Sequence, residues 1–157
     1  MLRSVYLLTI LSVSLACFNQ AASARAQSNK SHDMTQGQEW DEFDQLVEQS
    51  ESAMMAAPAE ALEHARKAEV IALALSTSTK SPEALATSLG LQSEALIRIN
   101  QIGDVLPLLN RALETIDKET SKSKLGGDLL LARGRVSRLN GHVETALKSF
   151  HEAHEIF

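Results

Sequence analysis

Apolar residues recur along this chain at helical spacing, and one arrangement of them returns three times. Ala61-Leu62, Ala65 and Ala68 are followed by Ala72; Val105-Leu106, Leu109 and Ala112 by Ile116; Ala146-Leu147, Phe150 and Ala153 by Phe157. Each series steps by three or four residues, which keeps it on one face of a helix. Counted from Ala61, Val105 and Ala146, the copies stand 44 and 41 residues apart. Self-similarity at this period is the mark of stacked helical repeats. No segment shows the two-residue alternation of a half-buried strand.

The polar breaks between the apolar runs predict six helices. Trp40, Phe43, Leu46 and Val47 start a first stripe near Glu39, which weakens through Ser50-Glu51-Ser52 and ends around Met54 to Ala57. Pro58 opens a second helix to about Leu75, because a proline lacks only an N–H that the first turn leaves unpaired anyway; Glu60 and Glu63 suit the positive end of its dipole. Ser81-Pro82-Glu83 combines cap, proline and acid and predicts a third helix from Pro82 to about Ile99. After a turn at 100–103, Asp104 is expected to cap a fourth helix that holds Pro107 in its first turn and ends near Asp117. Residues 118–124 read as a polar linker. The fifth helix spans Leu125 to Leu139, with Gly126 and Gly127 expected to fray its start. Asn140-Gly141 turns the chain into a sixth helix, from about His142 to the end. The expectation is an all-α fold of three helix pairs, at about 39–75, 82–117 and 125–157. Small residues at Ala61, Ala65, Ala68, Ala112, Ala146 and Ala153 let backbones approach. Leu106, Leu109, Leu147 and Phe150 are expected to fill the space between pairs.

Upstream of this the chain changes character. Arg3 precedes a mostly apolar stretch from Val5 to Phe18, and Ala22-Ser23-Ala24 and Ala24-Arg25-Ala26 are both A-x-A sites. This is the layout of a secretory signal peptide over residues 1–26, cleaved after Ala24 or Ala26. Its apolar core is short of the about 20 residues a membrane span needs. A membrane association would therefore come only from an uncleaved signal or a span further downstream. Residues 27–38 are polar and aperiodic and read as a flexible leader. Export predicts a periplasmic or extracellular location. Cys17, the single cysteine, lies inside the signal, and Ser14-Leu15-Ala16-Cys17 matches a bacterial lipobox poorly; cleavage downstream would leave a chain without thiol chemistry. Net charge is −5 and no basic stripe appears, which argues against a nucleic-acid partner.

Candidate chemistry is sparse. His151-Glu152-Ala153-His154-Glu155 puts two histidines on one helix face, but a zinc-protease helix needs HExxH and this is HExH; a solvated face is the expectation. His142 is the one nearby candidate for a further ligand, and His32 and His64 are isolated. The acidic run Glu39, Asp41, Glu42 and Asp44 lacks EF-hand spacing and reads as the exposed N-terminal face of the first helix. There is no G-x-S-x-G, phosphate-binding glycine loop or dinucleotide fingerprint. The chain is therefore read as non-catalytic, with no cofactor and no metal.

The last helix pair resembles a tetratricopeptide repeat (TPR), whose pattern is W-x2-L-G-x2-Y, then A-x3-F, then P. Gly134 suits the family glycine, Ala146-x3-Phe150 matches A-x3-F, and Ala153 fits the next small position. Leu130, Arg133 and Ser137 stand where the family has Trp, Leu and Tyr. The middle pair is more degenerate, with Ser93 at the glycine position, and the first keeps only the spacing of its second helix. The resemblance implies a right-handed superhelical α-solenoid of about three pairs that binds a protein or peptide on its concave face, lined by the first helix of each pair. On that alignment the face would hold Asp128, Leu131, Arg135 and Arg138, and from the middle pair Thr87, Glu94 and Arg98. Arg98, Arg135 and Arg138 would be positioned to pair with peptide carboxylates. Ile156 and Phe157 end the pattern without a polar terminal helix, and solenoids usually finish with one. The chain therefore also resembles the N-terminal sensor part of an exported TPR signalling protein, with a diguanylate cyclase or histidine kinase output domain beyond residue 157.

Overall fold

Six helices form where the apolar stripes run uninterrupted, and each ends where proline, glycine or a polar cluster breaks the stripe. A computed structural model describes residues 36–157; the expected signal peptide, Cys17, His32 and most of the expected leader lie outside the described residues. Helix α1 occupies 36–53, α2 Pro58–Ala74, α3 Ser81–Arg98, α4 Val105–Thr115, α5 Lys124–Leu139 and α6 Val143–His154. Short 3-10 turns at Ile102–Asp104 and Thr120–Lys122 precede α4 and α5. Among the described residues the fold is all-α, with no strand. The chain is already helical at residue 36, inside the segment expected to be leader, and α6 stops at His154 short of the chain end.

Each helix packs mainly on its neighbours in sequence: α2 on α3, α3 on α4, α4 on α5 and α5 on α6, with a lighter contact between α3 and α5. Phe43 of α1 is buried with Ala68 and Ala72 of α2 and Ala84 of α3, and Trp40, set edge-on to Phe43 at 5.7 Å, closes that end of the core. The larger core gathers Leu62, Leu89, Leu96, Val105, Leu109 and Val136. The alanines of the repeat lie at the contacts: Ala61, Ala65, Ala68, Ala72 and Ala112 are fully inaccessible, as is Ala153. Hydroxyls fasten neighbouring helices at the same level. Ser50 Oγ donates to the Ala61 carbonyl at 2.9 Å, and Ser81 Oγ to the Ala72 carbonyl at 2.7 Å.

Several local expectations change. Ser81 does not cap α3. Lys80 takes the cap position, and the Ser81 hydroxyl satisfies a carbonyl left over in the last turn of α2. Asp104 makes no capping hydrogen bond, because its backbone is already helical (φ −91°, ψ −5°) as the Ile102–Asp104 turn runs into α4; a capping side chain needs an extended backbone to reach back to the N–H groups. Gly126 and Gly127 do not fray α5. Both are buried, and a Cβ at Gly126 would strike the Ser121 backbone while one at Gly127 would lie 2.6 Å from the Phe157 ring. Gly134 serves the same purpose against Phe150, 2.5 Å from a Cβ built there. Phe150 thus packs on its own pair, and it also shares one hollow with Leu91 and Leu109 of the second pair. Leu147, expected between pairs, is 65% exposed, since α6 packs principally on α5 alone.

The turns inside the second and third pairs are copies of one another. Asn100 and Gly141 both have left-handed backbones, with φ of 62° and 77°. Around Asn100, its own N–H reaches the Ile97 carbonyl at 3.1 Å and the Gln101 N–H the Leu96 carbonyl at 2.8 Å. Around Gly141, the matching bonds run to Arg138 at 3.1 Å and from His142 to Ser137 at 2.8 Å. This is the Schellman ending of a helix, which requires one left-handed residue. The first pair has no such residue between α1 and α2. A left-handed backbone costs a side-chain-bearing residue about 1–2 kcal/mol, less for Asn. Gly141→Ala should therefore lower stability by about 1 kcal/mol in urea unfolding, and Asn100→Gly should raise it by up to about 1 kcal/mol.

Candidate functional site

Residues of α3 and α5 at helical spacing converge on one hollow. From α3 come Thr87, Gly90, Leu91 and Glu94, and from α5 Leu125, Asp128, Leu129, Leu131, Ala132 and Arg135. Glu51 of α1 adds a wall, and Leu109 of α4 and Phe150 of α6 reach the floor. The resulting cleft encloses about 570 Å³. Its floor is leucine, alanine and phenylalanine, and its polar groups belong to Glu51, Thr87, Glu94, Asp128 and Arg135. Gly90 keeps the α3 side thin, because a Cβ there would stand 3.1 Å from the Leu129 side chain.

Three of the four charged residues lining the cleft, Glu94, Asp128 and Arg135, are ion-paired. Glu94 accepts from Arg98 Nη2 at 2.9 Å through one oxygen and from Arg135 Nη2 at 3.2 Å through the other. Asp128 accepts from Lys124 Nζ at 2.6 Å. The hydrogen bond from Lys124 to Asp128 and the Asp128 charge, with a smaller contribution from Glu51, hold the Lys124 ammonium above its usual range against a slight desolvation. Glu94 joins α3 to α5 across the hollow, so one carboxylate both bridges the two helices and occupies two guanidinium groups.

The residues expected to form a binding face divide accordingly. Thr87, Glu94, Asp128, Leu131 and Arg135 all line the cleft. Arg98 stands behind Glu94, and Arg138 is exposed outside the lining. Arg98 and Arg135, expected to be open to peptide carboxylates, already share a carboxylate of this chain. Glu51, Leu91 and Leu125 were not singled out by sequence as site residues, and Phe150 was expected only to fill the space between pairs. For Glu51 the signal was present: the stripe of α1 breaks at Ser50-Glu51-Ser52, and there α1 presents a carboxylate to the cleft.

A second hollow of about 600 Å³ lies among α4, α5, α6 and the Thr120–Lys122 turn. Its central cation is already engaged: Arg133 donates to Ser149 Oγ at 2.8 Å and to Glu152 at 3.0 Å. His151 on its edge is largely exposed and lies 3.8 Å from Glu155. Among the described residues no three His, Cys, Asp or Glu side chains come together in a way that would hold a metal ion. No helix among the described residues is long and apolar enough to cross a membrane. No protein-family model, no curated protein and no solved structure matches the chain.

A raised ammonium stabilises the fold at pH values below its ordinary titration, and that contribution is lost as pH rises through the raised value. Asp128→Asn removes the largest causes of the Lys124 shift. In the variant, Lys124 should titrate closer to its ordinary 10.5 than in the wild type, as followed by NMR of the lysine side chain.

Proposed function

We propose that the protein is a non-catalytic, TPR-like scaffold, a right-handed stack of three helix pairs that binds a peptide or protein segment in the cleft formed by its first helices. The observation that carries this reading is the composition of the cleft: a continuous apolar floor, a rim of both charge signs, and walls from α1, α3 and α5, the first helix of each pair. Such a hollow suits an amphipathic segment, whose apolar side chains fill the floor while its polar side meets the rim. The stacked arrangement is supported by the packing of helices on their chain neighbours, by the α3–α5 contact and by the two matching Schellman turns. Arg135 and Glu94 give the rim a reversible element. An exposed ion pair of this kind is worth only about 0.2–1 kcal/mol, so a ligand carboxylate can displace Glu94 from Arg135 at little cost.

The test uses a display library of random twelve-residue peptides selected on the immobilised protein. Selected peptides should carry apolar residues at helical spacing and should bind at least tenfold more weakly to Leu131→Glu, which puts a charge into the cleft at a position already 37% exposed and so leaves the fold intact. Peptides that bind Leu131→Glu and wild type equally would place the binding surface elsewhere.

We further propose that the protein is exported, on the strength of the Arg3, apolar and A-x-A sequence of its first 26 residues. N-terminal sequencing of protein secreted by a bacterial host should begin at Arg25 or Gln27. An intact Met1 on soluble protein would rule the reading out.

A further inference from the structure

Of the five asparagines in the chain, Asn140 alone is followed by glycine. A side chain on the following residue shields its backbone nitrogen from the asparagine amide carbon, and Gly141 has none. Both residues are exposed in the turn between α5 and α6, and a Cβ built on Gly141 would meet nothing within 4 Å. The same turn holds the reacting atoms apart. Ring closure between them needs the Gly141 nitrogen on the same side of the Asn140 Cα–C bond as Cβ. With ψ at 4°, that nitrogen instead eclipses the Asn140 nitrogen. The Gly141 N–H is also committed to the Arg138 carbonyl at 3.1 Å, and the His142 N–H to the Ser137 carbonyl at 2.8 Å. Asn140 is thus primed by its sequence and restrained by the Schellman turn.

We propose that Asn140 is a site of spontaneous modification, converted to aspartate and isoaspartate when the α5–α6 turn opens. In the open turn the Gly141 nitrogen, having lost its proton to solvent hydroxide, attacks Asn140 Cγ. The N–Cγ bond forms, the Cγ–Nδ2 bond breaks, and Nδ2 leaves as ammonia with a proton from water. Water then adds to one of the two carbonyls of the succinimide ring. Breaking the bond from nitrogen to Cγ gives aspartate. Breaking the bond from nitrogen to the main-chain carbonyl carbon gives isoaspartate, whose backbone runs through the former side chain. Either product acts on the turn. The new carboxylate lies at the C-terminal end of α5, where the helix dipole disfavours an anion. In isoaspartate the backbone also gains a methylene group, so the bonds to Arg138 and Ser137 cannot both keep their register. Helix α6 carries Phe150 to the floor of the cleft, so a loosened turn reaches the cleft as well.

The full chain is incubated at mildly alkaline pH, folded or in denaturing urea, and then digested with trypsin. Cleavage after Arg138 and Lys148 yields residues 139–148, with Asn140 their single asparagine, for mass spectrometry. In urea, position 140 should convert about tenfold or more faster than Asn100 or Asn110, with isoaspartate in excess, and Gly141→Ala should remove that lead. In the folded chain it should convert about tenfold or more slowly than in urea, in step with the hydrogen-exchange protection of the Gly141 amide. Chain aged to isoaspartate should unfold at a lower temperature than fresh chain. Equal rates at the three asparagines in urea, equal rates at position 140 folded and in urea, or an isoaspartate form that melts with the unmodified protein would each overturn the proposal.

Discussion

Close approach between helices is the constraint on which everything else in this fold rests. Ala61, Ala65, Ala68 and Ala72 on α2, Ala112 on α4 and Ala146 and Ala153 on α6 are buried because a larger side chain at any of them would push two backbones apart. The glycines of α5 extend the same rule to its partners: Ser121, Phe157 and Phe150 each occupy space that a Cβ would fill. An added methylene group in so filled a core costs about 1–3 kcal/mol. A helical glycine costs about 1 kcal/mol relative to alanine, so three of them in one helix are tolerable only because the packing gained is of equal or larger size. The cleft inherits this economy of space, since its width is set by how near α3 and α5 can come.

Several polar side chains serve the joints between helices. Gln92, almost fully buried, donates to Glu69 at 2.7 Å, and Arg111 donates to the other Glu69 oxygen at 2.6 Å, so one carboxylate ties α2, α3 and α4 together. Glu94 does the equivalent between α3 and α5. Asp117 is drawn below the ordinary carboxylate range by the Thr120 backbone N–H and then its hydroxyl, and holds the turn that leads into α5. Two side-chain atoms stand apart from this pattern: His64 Nδ1 and Ser137 Oγ are buried without a protein partner among the described residues.

Much of this was legible in the sequence, and for definite reasons. Helix number and most boundaries followed from Pro58, Pro82 and the apolar stripes, because proline and periodicity act locally. The grouping of Thr87, Glu94, Asp128, Leu131 and Arg135 on one face was what the resemblance to a tetratricopeptide repeat implied through the Gly134 and Ser93 alignments, and all five line the cleft. What was not legible depends on contacts between distant residues. Whether Ser81 caps α3 or bonds Ala72 is decided by where α2 ends in space. Whether Gly126 loosens a helix or admits Ser121 depends on the path of the linker. That Arg98 and Arg135 meet on Glu94 requires the angle between α3 and α5, which no spacing rule supplies.

The two carboxylate clamps also give the array an uneven stiffness along its length. Separating α2 from both α3 and α4 means breaking two hydrogen bonds at Glu69, one from the buried Gln92 amide and one from the half-exposed Arg111 guanidinium. Separating the polar edges of α3 and α5 means breaking a single hydrogen bond, from the half-exposed Arg135 to Glu94. The lighter of the two fastenings runs along the mouth of the cleft. Mechanical compliance is therefore concentrated where a bound segment would have to enter and leave.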